Sequence, residues 1–296
     1  MKALETAPQV TVRNVLFATD FSSYSNAALP YALAVAHQYG VKLYAAHVLS
    51  TEAYLFATPE TWPALVEQHE EREQIDFACL ETHLRGVPHE VLSPVGDISD
   101  VLFRLIHDHN IDLLVLGTHG RTGLPKLLMG SVAEKIFRHC SCQVLTVGPH
   151  VARGEKRVAA FNRILLATDF SDESLAAVPY AISLAQEHQA HLSLLHVLRE
   201  PAAGTVNLVS DAAFLVRRME KLVPPGPDFP FQPEYLVEFG AAPEQILGFA
   251  RRHGVDLILL GVRAPVWGPG AGTHFSHTIA QQIVAQASCP VLTVRG

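Results

Sequence analysis

The stretch NVLFATDFS at residues 14–22 returns as RILLATDFS at residues 163–171, so the chain contains the same segment twice. Asp20 and Asp169 hold the same place in the two stretches and lie 149 positions apart (169 minus 20). The spacing continues downstream, where His-Val-Leu at 47–49 matches His-Val-Leu at 196–198. A repeat of this length predicts two copies of one domain joined head to tail.

The spacing between the copies then changes twice. It falls from 149 to 144 positions between Leu49 and Gly117, and it rises again in the loop that follows Gly117. Gly117 matches Gly261 at 144 positions, whereas SCQVLTV at 141–147 matches SCPVLTV at 288–294 at 147 positions. The segment that follows Gly117 is therefore where the copies have diverged. We predict a first domain at 1–150, a linker at 151–161 and a second domain at 162–296, called below the first and the second copy.

Composition and periodicity predict an α/β fold. Of the 296 residues 49% are hydrophobic and 17% are charged, which is typical of parallel strands covered by helices on both faces. Strands alternate with longer helical stretches, which predicts two tandem open five-stranded sheets, mostly parallel and Rossmann-like. In the first copy the predicted strands lie near 13–18, 41–49, 87–92, 111–117 and 143–147.

The charge balance and the cysteine count exclude several classes of protein. The formal net charge of −7 argues against a broad basic face for nucleic acid or for a membrane surface. No apolar run approaches the roughly 18 residues of a membrane span, and the N-terminus lacks a signal-peptide core. Four scattered cysteines do not form a disulfide framework. These features predict a soluble cytoplasmic protein.

A glycine pattern follows the fourth predicted strand of the first copy. It reads Gly117-Thr-His-Gly120, then nine residues, then Gly130-Ser131 at the predicted start of a helix. Glycines let the backbone approach a phosphate closely and can adopt positive φ, and a helix N-terminus offers amides to anionic oxygens. Ligands of parallel sheets bind at these carboxyl ends of the strands. The pattern therefore predicts a phosphate site.

Together with the ATDFS strand ends and the closing VLTV strands, this pattern resembles the ATP-binding motif of the universal stress protein family. The resemblance covers nearly the whole chain as two tandem domains and implies a fold similar to the adenine nucleotide alpha hydrolases. It implies ATP, with or without Mg²⁺, in the first copy. The base and ribose would lie at Ala18, Asp20 and Val48, and the phosphates at Leu116, Gly117, Gly120, Gly130, Ser131 and Val132.

Each polar candidate also has a purely structural interpretation. Ser131 begins Ser-Val-Ala-Glu134, a capping box that needs no ligand. Asp20 precedes a helix and would stabilise its dipole in either copy. Arg121 and Lys126 could neutralise phosphates or be solvated loop cations, and we include Arg121 in the site. His119 is expected at the loop surface, without a catalytic role.

The second copy lacks most of the pattern. Ala264 stands where Gly120 does, and His277-Thr278 stands where Gly130-Ser131 does. A glycine-rich insertion at 268–272 alters the path of the loop, while Thr278-Ile-Ala-Gln281 keeps a capping box. We therefore expect weak or no ATP binding by the second copy, with another ligand or a structural role left open.

His139, Cys140 and Cys142 are the nearest approach to a metal cluster in the sequence. Their spacing lacks the paired pattern of a zinc site, and Cys142 matches Cys289 at the entry to a last, buried strand. Burial in the core is the expected role of these cysteines, and we predict no metal site.

Three functions remain open from the sequence. The first is an ATP-binding regulatory protein of the stress response, in which the nucleotide alters conformation or partner binding. The second is a slow Mg²⁺-dependent ATPase or phosphotransferase that uses Asp20, although no nucleophile, general base or Walker A motif is identifiable. The third is a nucleotide-free association scaffold. The family resemblance also implies pairing of the two copies through their last strands, as in a dimer, and homodimers of the whole chain stay open.

Overall fold

The computed structural model describes residues 11–50, 62–120, 129–151, 161–199, 208–223, 231–264 and 278–296. Each copy contributes five strands to these ranges. They are β1 Asn14–Ala18, β2 Lys42–Ala46, β3 His89–Leu92, β4 Leu113–Gly117 and β5 Gln143–Val147, followed by β6 Arg163–Ala167, β7 His191–Leu198, β8 Glu234–Phe239, β9 Leu257–Val262 and β10 Val291–Arg295. The strands predicted for the first copy are confirmed to within three residues at each end.

Helices alternate with these strands, and several begin or end at residues that favour such positions. The helices of the described residues are α1 Ser23–Asn26, α2 Leu29–Tyr39, α3 Trp62–Leu84, α4 Ile98–Asp108, α5 Ser131–His139, α6 Asp172–Ala176, α7 Val178–Glu187, α8 Leu208–Glu220, α9 Ala242–His253 and α10 Ile279–Gln286. Gly40 ends α2 with a left-handed φ of 61°, where a side chain would be strained. None of these helices combines the length and apolar character needed to cross a bilayer.

The strands form one ten-stranded sheet in the order β3-β2-β1-β4-β5-β10-β9-β6-β7-β8. Within each copy neighbouring strands are parallel, which confirms the predicted fold class. In the first copy the direction of winding reverses between β1 and β4, and in the second between β6 and β9. Ligands of open parallel sheets bind outside the strand ends at such a reversal.

The copies join through an antiparallel pairing of β5 with β10, in which Leu292 lies opposite Leu145. Two buried threonines strengthen this pairing from opposite sides. Thr146 Oγ1 donates to Val291 O at 3.1 Å, and Thr293 Oγ1 donates to Val144 O at 3.2 Å. Because each hydroxyl crosses to the other copy, the contact has the two-fold character of a dimer interface.

The apolar core is continuous on one face of the sheet and divided on the other. On the face covered by α2 and α7, buried residues of both copies form a single cluster, which also holds Phe161. On the opposite face α4 and α5 cover one cluster, and α9 and α10 cover another. The copies therefore share hydrophobic burial beyond their paired strands, which favours a fixed arrangement of the two.

Candidate functional site

The residues that the family resemblance implies for the site gather at the carboxyl ends of three adjacent strands. Ala18 ends β1 and pairs with Leu116 of β4, and Gly117 ends β4. Val48 follows β2 and is buried. Leu116 is also buried and lies between two paired strands. The reversal between β1 and β4 thus places these positions on one rim of the sheet.

Asp20 lies in a tight turn between β1 and α1, held by short-range hydrogen bonds. Its Oδ1 accepts from the amide of Ser22 at 2.9 Å. Thr19 Oγ1 accepts from the amide of Phe21 at 3.0 Å, and its hydroxyl pairs with that of Ser25 at 3.1 Å. Phe21 adopts a left-handed φ of 58°, so the turn carries backbone strain that these bonds offset.

The second copy builds the same turn almost atom for atom. The amide of Ser171 donates to Asp169 Oδ1 at 3.0 Å, and Phe170 has a φ of 62°. Burial alone would raise the pKa of Asp169, but the hydrogen bonds from the Ser171 hydroxyl and amide hold that pKa below its usual range. Since the turn recurs where the glycine pattern is lost, one oxygen of each aspartate has a structural role.

The glycine that ends the fourth strand is required by packing in both copies. A methyl group at Gly117 would lie 3.0 Å from Tyr24 O, and one at Gly261 would lie 1.9 Å from Glu173 O. Both obstacles are backbone atoms at the start of a helix, which cannot move aside cheaply. Gly117 therefore has a structural reason to be glycine that is independent of any ligand.

Gly120 and Gly130 are enclosed by backbone less tightly than Gly117 is. None of these three glycines has a positive φ, so none of them uses the left-handed backbone that glycine permits. A methyl group at Gly120 would lie 2.7 Å from Asp20 Oδ2, and one at Gly130 would lie 3.3 Å from Thr118 O. Gly120 thus places the loop against the second oxygen of Asp20.

The N-terminus of α5 is open. Gly130 is the residue before the helix and its amide donates to Thr118 O at 2.9 Å, but among the described residues no side chain caps this end. Ser131 is the first helical residue and is exposed, and Glu134 pairs with Arg138 at 2.7 Å. The predicted capping box of Ser131 is wrong, because the helix begins one residue earlier than the box requires. The amides of Ser131, Val132 and Ala133 have no acceptor within the helix.

The N-terminus of α10, by contrast, is closed by its own side chains. Thr278 Oγ1 accepts from the amide of Gln281 at 3.2 Å, and Gln281 Oε1 accepts from the amide of Thr278 at 2.9 Å. This confirms the capping box predicted for the second copy. Among the described residues, the amide of the third helical residue therefore has a side-chain cap in α10, at Gln281, but not in α5, at Ala133.

Thr118 holds the start of the loop in the first copy. Its place between two glycines is the sole sign of this role in the residue pattern. Its amide donates to Val147 O at 3.0 Å, while its carbonyl accepts from Gly130. Its hydroxyl lies 3.0 Å from His119 Nδ1. His119 is buried and its ring lies 5.5 Å from that of Tyr24, so the expectation of a surface histidine is wrong.

In the second copy the corresponding loop segment bonds to the last residues of the chain. The amide of Ala264 donates to Gly296 O at 3.2 Å, and that of Gly296 donates to Val262 O at 3.2 Å. Arg263 Nε donates to Glu173 Oε1 at 3.0 Å, in the place where the first copy has the contact between His119 and Tyr24. In the described part of this loop, the amide of Ala264 and the guanidinium of Arg263 are therefore both hydrogen-bonded within the second copy.

Several predicted residues lie outside the described ranges. They are Arg121 and Lys126 of the first copy, and His277 and the segment 268–272 of the second. Among the described residues no group of three or more His, Cys, Asp or Glu side chains is placed to hold a metal ion. Cys140, Cys142 and Cys289 are buried with free thiols, which confirms their expected place in the core.

The geometry of the first copy fits an anionic ligand with a flat apolar group. Backbone amides at the start of α5 and the exposed Ser131 hydroxyl can donate to anionic oxygens, and the helix dipole favours negative charge there. Ala18 and Val48 supply apolar surface at the neighbouring strand ends. Side chains at Gly120 and Gly130 would crowd this edge, because a methyl group would lie 2.7 Å from Asp20 Oδ2 or 3.3 Å from Thr118 O.

Comparison with known proteins places the chain in a family. Residues 11–148 and 160–295 each match the Universal stress protein family. Universal stress protein YxiE of Bacillus subtilis is 30% identical over 154 residues, covering 46% of this chain and 99% of that protein. Universal stress protein MJ0531 of Methanocaldococcus jannaschii is 27% identical over 138 residues, covering 46% of this chain and 81% of that protein.

Solved structures match the whole two-copy arrangement. A universal stress protein from Archaeoglobus fulgidus superposes with a TM-score of 0.70 at 20% identity, covering 95% of this chain and 98% of that one. A putative universal stress protein from Pseudomonas aeruginosa gives a TM-score of 0.62 at 14% identity, covering 96% and 93%. At these identities the likeness concerns the fold alone. The two family matches together span most of the sequence, and the chain belongs to the universal stress protein family.

Proposed function

We propose that the first copy binds an adenine nucleotide, ATP, and that the protein acts in the stress response through nucleotide-dependent conformation or partner binding. The observation that carries the proposal is the open N-terminus of α5, set against the capped N-terminus of α10. A helix start without a cap leaves donors unsatisfied unless water or a ligand provides acceptors. Phosphate oxygens are suitable acceptors at this position.

Each residue has a proposed part in binding. The phosphates lie along Leu116, Gly117, Gly120, Gly130, Ser131 and Val132, with Arg121 neutralising charge. The base and ribose lie at Ala18, Asp20 and Val48. Asp20 Oδ1 accepts from Ser22, and we assign Oδ2, the oxygen beside Gly120, to contact with the ribose or a bridging Mg²⁺.

The second copy has a structural part in this proposal. Its capping box engages the amides of Thr278 and Gln281, and the amide of Ala264 donates to Gly296 O, so these donors are not available to a nucleotide. Through β10 and the shared core it pairs with the first copy as the second subunit of a dimer would. We therefore propose about one nucleotide per chain, bound by a protein of the cytoplasm.

Calorimetric titration of ATP and AMP into the full chain, with and without Mg²⁺, tests the proposal. We expect one bound nucleotide per chain in the wild type. The Gly120→Val/Gly130→Val double variant should lose at least about a hundredfold in affinity, about 2.7 kcal/mol, because two branched side chains occupy the phosphate volume. Circular dichroism and thermal melting should show that the double variant still folds.

The matched control is Ala264→Val in the second copy, at the position of Gly120. It should leave the stoichiometry and affinity unchanged. Binding that survives the double variant, or that is lost in the control, would contradict the assignment to the first copy. Phosphate release measured in the same preparations separates a regulatory site from a slow ATPase, since the former holds intact ATP over many hours.

A further inference from the structure

Cys140 and Cys142 bring two thiols together at the other end of α5. Cys140 ends the helix, its amide donating to Ile136 O at 2.8 Å, and Cys142 immediately precedes β5. Their Sγ atoms lie 3.3 Å apart, and both residues are buried. A disulfide requires about 2.05 Å between the sulfurs, so a small rotation of the side chains closes the gap.

A cation from the second copy lies beside this pair. Arg295 of β10 donates through Nη2 to Phe137 O at 2.6 Å, at the carboxyl end of α5. The hydrogen bond from Cys142 and the positive charge of Arg295 hold the pKa of Cys140 below its usual value despite burial. The pKa of Cys142 is raised, because its proton is shared with Cys140 and because it is buried. The pair therefore loses one proton more readily than two isolated buried thiols would.

Small molecules can approach the pair through a cavity of about 400 Å³ between the two copies. Cys142 and Gln143 of the first copy line it, as do Tyr180 and Leu292 of the second. The cavity lies at the amino ends of the strands, away from the rim that carries the glycine pattern. Its lining gives an oxidant as small as a peroxide a route to a thiol that is otherwise enclosed.

The second copy lacks the pair. Ala287 occupies the place of Cys140 and Cys289 that of Cys142. Burial raises the pKa of Cys289 to about 12, so this single thiol is poorly reactive. Neither the core position nor the strand entry requires a second cysteine, because the second copy forms both with alanine in that place.

From the 3.3 Å contact, the neighbouring guanidinium and the cavity at Cys142, we propose that Cys140 and Cys142 are a redox modification site, which hydroperoxides convert to a disulfide within the first copy. The site would respond to oxidants at the base of the helix whose opposite end carries the open amides.

The reaction balances with one peroxide. Loss of one proton leaves a negative charge shared by the two sulfurs, and the proton that remains can pass to Cys140. Cys142 Sγ then attacks a peroxide oxygen, the O–O bond breaks, and the hydroxide that leaves takes up a proton. Cys140 Sγ attacks the sulfenic sulfur, the S–O bond breaks, and a second hydroxide leaves and is protonated. Two thiols and one hydrogen peroxide thus give one disulfide and two waters.

Hydrogen peroxide applied to the Cys79→Ser chain tests the proposal, because this substitution removes the exposed thiol and leaves three buried ones. After the reaction is quenched with acid and the protein unfolded, we expect one titratable thiol in place of three. The tryptic peptide 139–153, which contains both cysteines, should lose two hydrogen atoms and regain them with dithiothreitol.

The matched control is Cys140→Ala on the same background, which recreates the Ala-Ser-Cys sequence of the second copy. It should show no loss of two hydrogens. Should this variant fail to fold, mapping of the peptide in the Cys79→Ser chain decides the question alone. Three thiols that persist in peroxide, a peptide that only gains oxygen, or a cross-link to Cys289 would each overturn the proposal.

Discussion

The two copies share the strand and the turn that precede the fifth helix-forming segment, yet they differ at the start of that helix, which is α5 in the first copy and α10 in the second. Both helices follow a strand with a tightly packed glycine at or next to its last residue, and the same aspartate turn recurs in the two copies. In the first copy the helix begins without a side-chain cap, whereas in the second Thr278 and Gln281 cap it reciprocally. The packed glycine and the aspartate turn can therefore be kept while a side-chain cap takes up backbone amides that a ligand could use.

The largest expected effect concerns the glycine that both copies keep. In Gly261→Ala the new methyl group would lie 1.9 Å from Glu173 O, so the backbone must shift and we expect a loss of about 3 kcal/mol or more in stability. In Gly117→Ala the distance to Tyr24 O is 3.0 Å, and a loss of about 1 kcal/mol is expected. Urea unfolding of the two variants measures the difference. Equal losses would mean that this packing does not differ between the copies.

The hydroxyls of Thr278 and Ser131 lie at the starts of α10 and α5. We expect removal of the first to lower stability and removal of the second to lower ATP affinity. Thr278→Ala removes a cap, and we expect about 1 to 2 kcal/mol of destabilisation. Ser131→Ala should leave the melting temperature unchanged, since that hydroxyl caps nothing, but should weaken ATP binding by up to about tenfold, about 1.4 kcal/mol. Thermal melting and calorimetry on both variants check this. A destabilised Ser131→Ala protein would mean that the first copy is capped after all.

The two threonines that hydrogen-bond across the pairing of β5 with β10 should contribute equally to stability. Thr146→Val and Thr293→Val each remove one hydroxyl that donates across the pairing of β5 with β10, while keeping the shape of the side chain. Each should cost about 1 kcal/mol, and the two values should agree within error. Unfolding in urea, followed by fluorescence, gives both. A clear difference between the two losses of stability would show that the contact energies at the interface lack the two-fold symmetry of its hydrogen bonds.

The smallest effect is a pH dependence of the stability, which we expect from a histidine of the second copy that the first copy lacks. Burial lowers the pKa of His188, whose ring lies against that of Phe161. The first copy has Tyr39 at the matching position in the sequence. Below about pH 6.5 the unfolded chain takes up this proton and the folded chain resists it, so stability falls as the pH drops through that range. Replacement by the residue of the other copy, His188→Tyr, should lessen the loss of stability between about pH 7 and pH 5.5. An unchanged pH profile would contradict this role.

Much of the fold, and less of the site, could be predicted from the residue pattern. The strands follow from apolar runs with turn residues between them, and the capping box at Thr278 from its own four residues. The same four-residue pattern at Ser131 misled, because the bond from Gly130 to Thr118 starts the helix one residue earlier. His119 was expected at the surface, yet Tyr24 and Thr118 enclose it.

From the order of residues alone it follows that there are two copies, which strands they contain, and that the glycine pattern survives in only one. These features are properties of neighbours along the chain, where periodicity and spacing act directly. The folded structure was needed to show that Gly117 and Gly261 are packing residues and that α5 is open, and it confirms the pairing of the last strands that the family resemblance implies. Those depend on contacts between residues far apart in sequence, and a steric clash or a satisfied donor exists only when both partners are in place.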